Sequence, residues 1–251
     1  MTNEDVVVAT RLVAAQRTHR GLVRSANEDS VHVGANVLAL ADGMGGHAAG
    51  EIASALMIAA LAPLDQPSTG DLLDRLEQAV LDGNSAIAEH ARNSTETAGM
   101  GTTLTALLFD GARFGLVHVG DSRAYRLREA TLSQLTRDDT FVQSLVDFGQ
   151  ITAEQARTHP RRSVIMQALT GQPVTLALAL DRAEVGDRFL LCSDGLSDVV
   201  GADQIESVMA VTPDVEGCAA ALVELALAEG GPDNITVVVA DLVAADLADG
   251  V

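Results

Sequence analysis

Aromatic residues are scarce in this sequence: they make up 2% of its 251 residues, and tryptophan is absent. Proteins that hold single-stranded nucleic acid stack bases on aromatic side chains, and few are on offer here. Basic residues are also sparse, 16 against 35 acidic ones, and they are dispersed along a chain of formal net charge −19. Phosphate backbones are gripped by basic stripes, so nucleic acid is not an expected partner. Two cysteines, Cys192 and Cys218, are too few for a disulfide framework. The opening Thr2-Asn3-Glu4-Asp5 lacks the basic start and long apolar stretch of an export signal. The longest apolar run, around Ile52 to Leu64, is about half of what spans a bilayer. A soluble, cytoplasmic protein in a reducing compartment, without membrane contact, is expected.

What is abundant is aliphatic. Hydrophobic residues make up 47% of the chain and are mostly Ala, Val and Leu, enough for one large core. Alternation and β-branched runs predict strands near residues 6–15, 31–41, 103–109, 114–119, 124–127, 174–180, 188–192 and 235–242. Helical periodicity predicts helices over 47–62, 71–93, 140–148, 203–211 and 214–228. Thr152-Ala-Glu-Gln155 reads as a capping box, and Thr212-Pro213 as an N-cap followed by proline at the first helical position. Gly230-Gly231-Pro232 ends the preceding helix and forces a turn. Regular βαβ alternation is missing, and the hairpin-like succession across Thr103–Leu127 favours antiparallel sheet. With no low-complexity linker and no internal repeat, a single domain over residues 1–251 is expected.

Five aspartates stand beside glycine, asparagine or another small polar residue: Asp29, Asp42, Asp121, Asp194 and Asp233. Asp42-Gly43 follows the apolar run Val37–Ala41, Asp194-Gly195 follows Phe189–Cys192, and Gly120-Asp121 follows Leu116–Val119. Asp233-Asn234 is the mirror case, an acid where the run Ile235–Ala240 begins. A single such aspartate is explained by turn initiation. Several strands delivering acids to turns fit one rim of a sheet, where carboxylates repel unless hard cations sit among them. The pattern therefore predicts a Mg²⁺ or Mn²⁺ site. Arg24, five residues before Asp29, either grips a phosphate or carboxylate with its planar fork or is a surface arginine neutralising Glu28 or Asp29. His47, three residues after Met44, either donates a proton to a leaving alkoxide or makes a local hydrogen bond at a helix start.

Metal-bound carboxylates suit phosphoryl chemistry, and the other catalysts of such hydrolysis lack their residues here. Cys192 is followed by Ser-Asp-Gly-Leu-Ser-Asp, acid where a cysteine phosphatase needs arginine, and reads as a buried strand residue. Neither the Asp-x-Asp of aspartyl-phosphate enzymes nor the Gly-x-Ser-x-Gly of serine hydrolases occurs. The six histidines show no His-x-x-x-His pair.

Six segments, in this order, resemble the metal-dependent protein serine/threonine phosphatases of the PP2C (PPM) family in compact bacterial form. They are Arg24-Ser-Ala-Asn-Glu-Asp29, Ala41-Asp-Gly-Met-Gly-Gly-His47, Gly101-Thr-Thr-Leu, Val119-Gly-Asp-Ser-Arg-Ala-Tyr125, Leu191-Cys-Ser-Asp-Gly-Leu-Ser-Asp198 and Gly231-Pro-Asp-Asn-Ile-Thr236. The resemblance implies an α+β fold, a four-layer αββα sandwich of two antiparallel sheets packed face to face and flanked by helices. It implies a core of about residues 6–243 and a flap at about 138–169, with Asp138-Asp139 where many relatives have Asp-His. It further implies that Asp42, the Gly43 carbonyl, Asp194 and Asp233 hold two Mn²⁺ or Mg²⁺ ions. Asp29 would act through bound waters, and Asp121, with Asp194, would serve a third, weaker cation. Arg24 matches the arginine that grips the substrate phosphate, and His47 lies in the region of the family's proposed general acid.

The implied reaction is direct attack of a metal-bridging water or hydroxide on phosphoserine or phosphothreonine. Phosphorylated proteins, a Ser/Thr kinase among them, are the expected partners of a monomer. Two alternatives share the fold: a phosphatase for a phosphorylated anti-sigma antagonist-type regulator, and a catalytically silent phospho-binding regulator.

Overall fold

The computed structural model describes residues 9–45, 48–66, 68–97 and 99–245. One sheet has the order β1-β11-β10-β7-β8, built from Thr10–His19, Ile235–Ala244, Arg188–Cys192, Arg123–Arg128 and Thr131–Gln134. The other has the order β2-β3-β5-β6-β9, built from Asp29–Val33, Val37–Met44, Leu104–Phe109, Arg113–Val119 and Ala177–Arg182, with the two-residue β4, Gly101–Thr102, paired to β3. All these pairings are antiparallel.

Period-two side-chain direction decides which residues meet which layer. In β3, Val37, Ala39 and Ala41 face α1 (Ala48–Leu61) and α2 (Leu72–Asn93), while Leu38 and Leu40 point between the sheets. In β11, Val237 and Val239 face α6 (Ala202–Val211) and α7 (Val215–Ala228), while Val238 and Ala240 point between the sheets. Both faces of the central strands are thus covered, which is why they read as unbroken apolar runs. Three of the five phenylalanines, Phe109, Phe114 and Phe189, meet between the sheets with ring centroids 5.2–5.8 Å apart. The layers are helices, sheet, sheet, helices, as the family resemblance implies.

Several element boundaries differ from expectation. The stretch 31–41 is a hairpin, because Asp65 accepts from the amides of Asn36 and Val37 and fixes a turn there. β1 starts at Thr10 and continues to His19; residues 6–8 of its expected range lie outside the described residues. The N-cap of α7 is Asp214, whose carboxylate accepts from Gly217 N at 2.7 Å, and not Thr212, which instead ends α6. Starting the helix two residues earlier would forfeit that carboxylate cap. The capping box forms at Thr152, opening α4 (Ala153–Arg157).

The segment after β8 crosses the rim of the sandwich through α3 (Phe141–Asp147) and α4. Its root is pinned. Arg123 forks onto Asp138, with bonds of 2.6–3.2 Å, and also donates to the Tyr125 hydroxyl. Asp139 accepts from Gly120 N and from Gln167 Nε2, so an acid does the fastening at this position.

Candidate metal centre

The five aspartates reach one end of the sandwich by five separate routes. β2 and β3 pair so that Asp29 lies directly opposite Asp42, a like-charge placement that costs stability in an ordinary sheet. β10 delivers Asp194 as the first residue of a single helical turn, α5 (Asp194–Ser197). Asp121 sits in the β6–β7 turn behind Gly120 (φ +108°). Asp233 immediately precedes β11, after Gly230 and Gly231 have turned the chain with positive φ.

Arg24, Asp42, Gly43, Asp121, Asp194 and Asp233 line a single cleft of about 340 Å³. A wider depression of about 540 Å³ lies at the opposite strand ends, where its one carboxylate, Asp110, is already paired with Arg113.

Electrostatics set the cleft apart. Asp29 Oδ1, Asp121 Oδ1 and Asp194 Oδ1 are shut off from solvent without a hydrogen-bond partner. Burial pushes the Asp42 carboxyl well above the usual range, and Asp29, Asp194 and Asp121 add to the rise. Burial does the same to Asp194, with Asp121 and Asp198 next in effect. Asp121 is pushed up to about 7, by burial and then by Asp138 and Asp198. Burial lifts Asp29 to about 6, against the pull of hydrogen bonds such as that from the Ser193 hydroxyl at 3.0 Å.

Buried, clustered, partnerless carboxylate oxygens are a donor set for a hard cation. Gly43 supplies a close backbone approach beside them: a Cβ there would stand 2.2 Å from Gly50 O and 2.6 Å from Glu28 O. Among the described residues, no three His, Cys, Asp or Glu side chains close into a ready-made cage. An open set suits Mg²⁺-type ions, which keep several waters and take only one or two carboxylates each.

These shifts dictate how the metal-free protein responds to pH. A carboxyl whose folded pKa is raised binds its proton more tightly when folded, so its contribution to stability is present at low pH. That contribution is lost as pH climbs from the unfolded value near 4 through the folded values of about 6 and 7. Metal-free protein is therefore expected to resist urea better at pH 5 than at pH 7.5, with the order reversed by saturating Mn²⁺. A urea midpoint that rises with pH in metal-free buffer would contradict this.

Arg24 stands over the acids. Its Nη2 donates to Asp233 Oδ2 at 2.5 Å, while the guanidinium remains half exposed. That bond raises its pKa first, and the charges of Asp233, Asp194 and Asp42 add to it. Of the residues singled out in the sequence, Arg24, Asp29, Asp42, Gly43, Asp121, Asp194 and Asp233 gather at this end, and His47 lies outside the described residues. Sequence reasoning misses two cleft residues. Asp198 lines the same cleft, its carboxyl raised by burial, with Arg162 Nε 3.9 Å away; its spacing of four from Asp194 is the available signal. Asn234, in sequence no more than a turn neighbour of Asp233, is buried and fully bonded.

The profile of the family described as Protein phosphatase 2C matches residues 17–226. The serine/threonine protein phosphatase PstP of Mycobacterium tuberculosis is 60% identical over 230 residues, covering 91% of this chain and 45% of the relative, so the chain spans about half the length of that protein. The serine/threonine phosphatase stp of Listeria welshimeri is 34% identical over 236 residues, covering 90% of this chain and 94% of the relative. Among solved structures, the catalytic domain of PstP in complex with 2 manganese ions superposes with a TM-score of 0.89 at 57% identity, covering 93% of this chain and 99% of that one. Two stacked antiparallel sheets, a carboxylate cleft at one end and a profile running across most of the sequence agree: this chain belongs to the protein phosphatase 2C family.

Proposed function

We propose that this chain is a metal-dependent protein phosphatase that removes phosphate from phosphoserine and phosphothreonine by direct attack of water. The observation that carries this is the cleft itself, in which the partnerless oxygens of Asp121 and Asp194 lie in one lining with Arg24, a half-exposed guanidinium paired with Asp233. Asp42, the Gly43 carbonyl, Asp194 and Asp233 hold two Mn²⁺ or Mg²⁺ ions; Asp29 acts through water, and Asp121 with Asp194 serves a third. When bound, such ions lower the pKa of a shared water and offset charge on the phosphoryl oxygens. The two manganese ions in complex with the PstP catalytic domain support that cation class.

The protein's own groups do the rest. Arg24 offers its free N–H donors to the phosphoryl oxygens and holds phosphorus in line for attack. Asp42, Asp194 and Asp29, whose carboxyls hold their protons more tightly than usual in the metal-free cleft, would give those protons up to cations that bind there. No protein nucleophile intervenes: Cys192 is buried in β10, and burial pushes its thiol up to about 12, so no thiolate is available. His47, the residue before Ala48 in the sequence, is assigned as the donor to the leaving oxygen.

The same reading takes residues 1–251 as one phosphatase domain, with a core of about 6–243 and a flap of about 138–169. It acts as a cytoplasmic monomer on phosphorylated Ser/Thr proteins, including a partner kinase. Among the described residues, no helix is long and apolar enough to cross a membrane. Hydrolysis of phosphoserine and phosphothreonine peptides is expected with Mn²⁺ or Mg²⁺ and is expected to vanish in EDTA. Hydrolysis that persists after exhaustive metal removal would overturn the proposal.

A further inference from the structure

We propose that Asn234 is the positioning residue for Arg24, a polar clamp that holds the phosphate-gripping loop on the backbone that carries Asp233. This inference rests on the phosphatase reading of the cleft. The loop of residues 20–28 joins β1 to β2 and carries Arg24 near its middle. Little apolar burial holds it, because Leu22 is 65% and Val23 72% exposed. Polar contacts hold it instead, and those with one short stretch, residues 231–234, include three made by the Asn234 side chain. Asn234 Oδ1 accepts from Glu28 N at 2.9 Å, and Nδ2 donates to Arg20 O at 2.9 Å and to Ala26 O at 2.8 Å. One side chain, only 6% exposed, therefore ties down both ends of the loop.

The chemistry selects asparagine. Two backbone carbonyls and one backbone N–H demand two donors and one acceptor from the same planar group, which an amide supplies. An aspartate would set a carboxylate against two carbonyl oxygens. Further contacts share in the fastening, among them those of Gly43 N and Ser54 Oγ, which donate to Glu28 O at 3.2 and 2.6 Å. Leu22 N donates to Gly231 O at 2.7 Å, and Asn27 Nδ2 donates to Thr18 Oγ1 at 2.7 Å. Gly21, with φ +77°, lies so close that a Cβ would stand 2.1 Å from Asp233 O. The arginine that meets the phosphate and an aspartate that meets the cation are thus mounted on one rigid piece, with Asn234 as the fastener. Displacing a gripping group by about 1 Å is enough to cost about a hundredfold in rate.

The test uses Asn234→Ala, with Asn234→Ser as an uncharged second variant too short to reach both carbonyls. In metal-free protein, amide hydrogen exchange over residues 20–28 is expected to quicken by at least about tenfold while β10 and β11 keep their protection. In the Mn²⁺-loaded enzyme, kcat/KM toward a phosphothreonine peptide is expected to fall about 10- to 100-fold, with inhibition by inorganic phosphate weakened in proportion. Mn²⁺ affinity by calorimetry should change far less than phosphate inhibition. The double variant Arg24→Ala/Asn234→Ala should be no worse than Arg24→Ala alone, since residues acting through one another do not add. Unchanged exchange in the loop overturns the clamp, whatever the chain hydrolyses. Additive losses in the double variant, or equal losses of Mn²⁺ and phosphate binding, overturn positioning of Arg24. Wild-type protein without metal-dependent hydrolysis would sink the phosphatase reading, while the exchange measurement still decides whether the clamp exists.

Discussion

Asp194→Asn and Asp233→Asn are expected to abolish metal-dependent turnover while leaving the fold intact. Removing an outer partner of a metal ligand typically costs about 10- to 100-fold, so loss of a direct ligand should exceed about 100-fold in kcat even at saturating Mn²⁺. The two substitutions part company in metal-free protein. Asp194 has an oxygen sealed from solvent without a partner and a carboxyl pushed up by burial and by Asp121, Asp198 and Asp233. Neutralising it relieves that repulsion, so the urea midpoint of metal-free Asp194→Asn should equal or exceed that of wild type at pH 7.5. Asp233 has a cationic partner in Arg24, and Asp233→Asn should bring no comparable gain. Wild-type-like turnover in either variant would refute the ligand assignment. A lower midpoint for metal-free Asp194→Asn would show that its carboxylate is held by something other than cations.

Arg24→Ala carries the second large effect. Loss of the planar fork is expected to lower kcat/KM for a phosphopeptide by about a hundredfold, through phosphate grip and alignment. Arg24→Lys should recover only a small part of this, because an ammonium offers a point charge where a bidentate plane is needed. Arg24→Ala should also tighten Mn²⁺ binding measured without phosphate, since the guanidinium both occupies Asp233 Oδ2 and repels a cation at the same carboxylate. Opposite signs for metal and phosphate distinguish this role from general damage. Weakened binding of both by Arg24→Ala, or phosphate inhibition equal to wild type, would remove Arg24 from the proposed mechanism.

How much of this was legible in the sequence depended on how local the cause was. Strand ends bearing Asp42, Asp121 and Asp194 could be read because an apolar run stopping at an acid and a glycine is a local pattern. Antiparallel pairing could be read from the hairpin-like succession across Thr103–Leu127, whereas the two-sheet, four-layer architecture came from the family resemblance. Helix α2 was found almost to the residue, its start announced by Asp71, which accepts from Leu73 N and Asp74 N. Elements set by distant partners were missed. The four-residue strand β8, Thr131–Gln134, is mostly exposed and exists because β7 pairs with it. The turn between β2 and β3 depends on the Asp65 carboxylate, about thirty residues away. The value of Asn234 lies in contacts with residues more than 200 positions earlier, which no window on the sequence brings together. Even the opposition of Asp29 and Asp42 follows from strand register rather than from either neighbourhood.

Tyr125 gives the molecule a built-in optical probe. It is the only tyrosine in a chain without tryptophan, so nearly all intrinsic ultraviolet emission comes from one side chain. That side chain is 2% exposed, and its hydroxyl accepts from Arg123, the same guanidinium that forks onto Asp138 at the root of the segment crossing the rim. The fluorescence of the unlabelled protein therefore reports on a single junction, between the helix-covered face of one sheet and the root of the segment that follows β8.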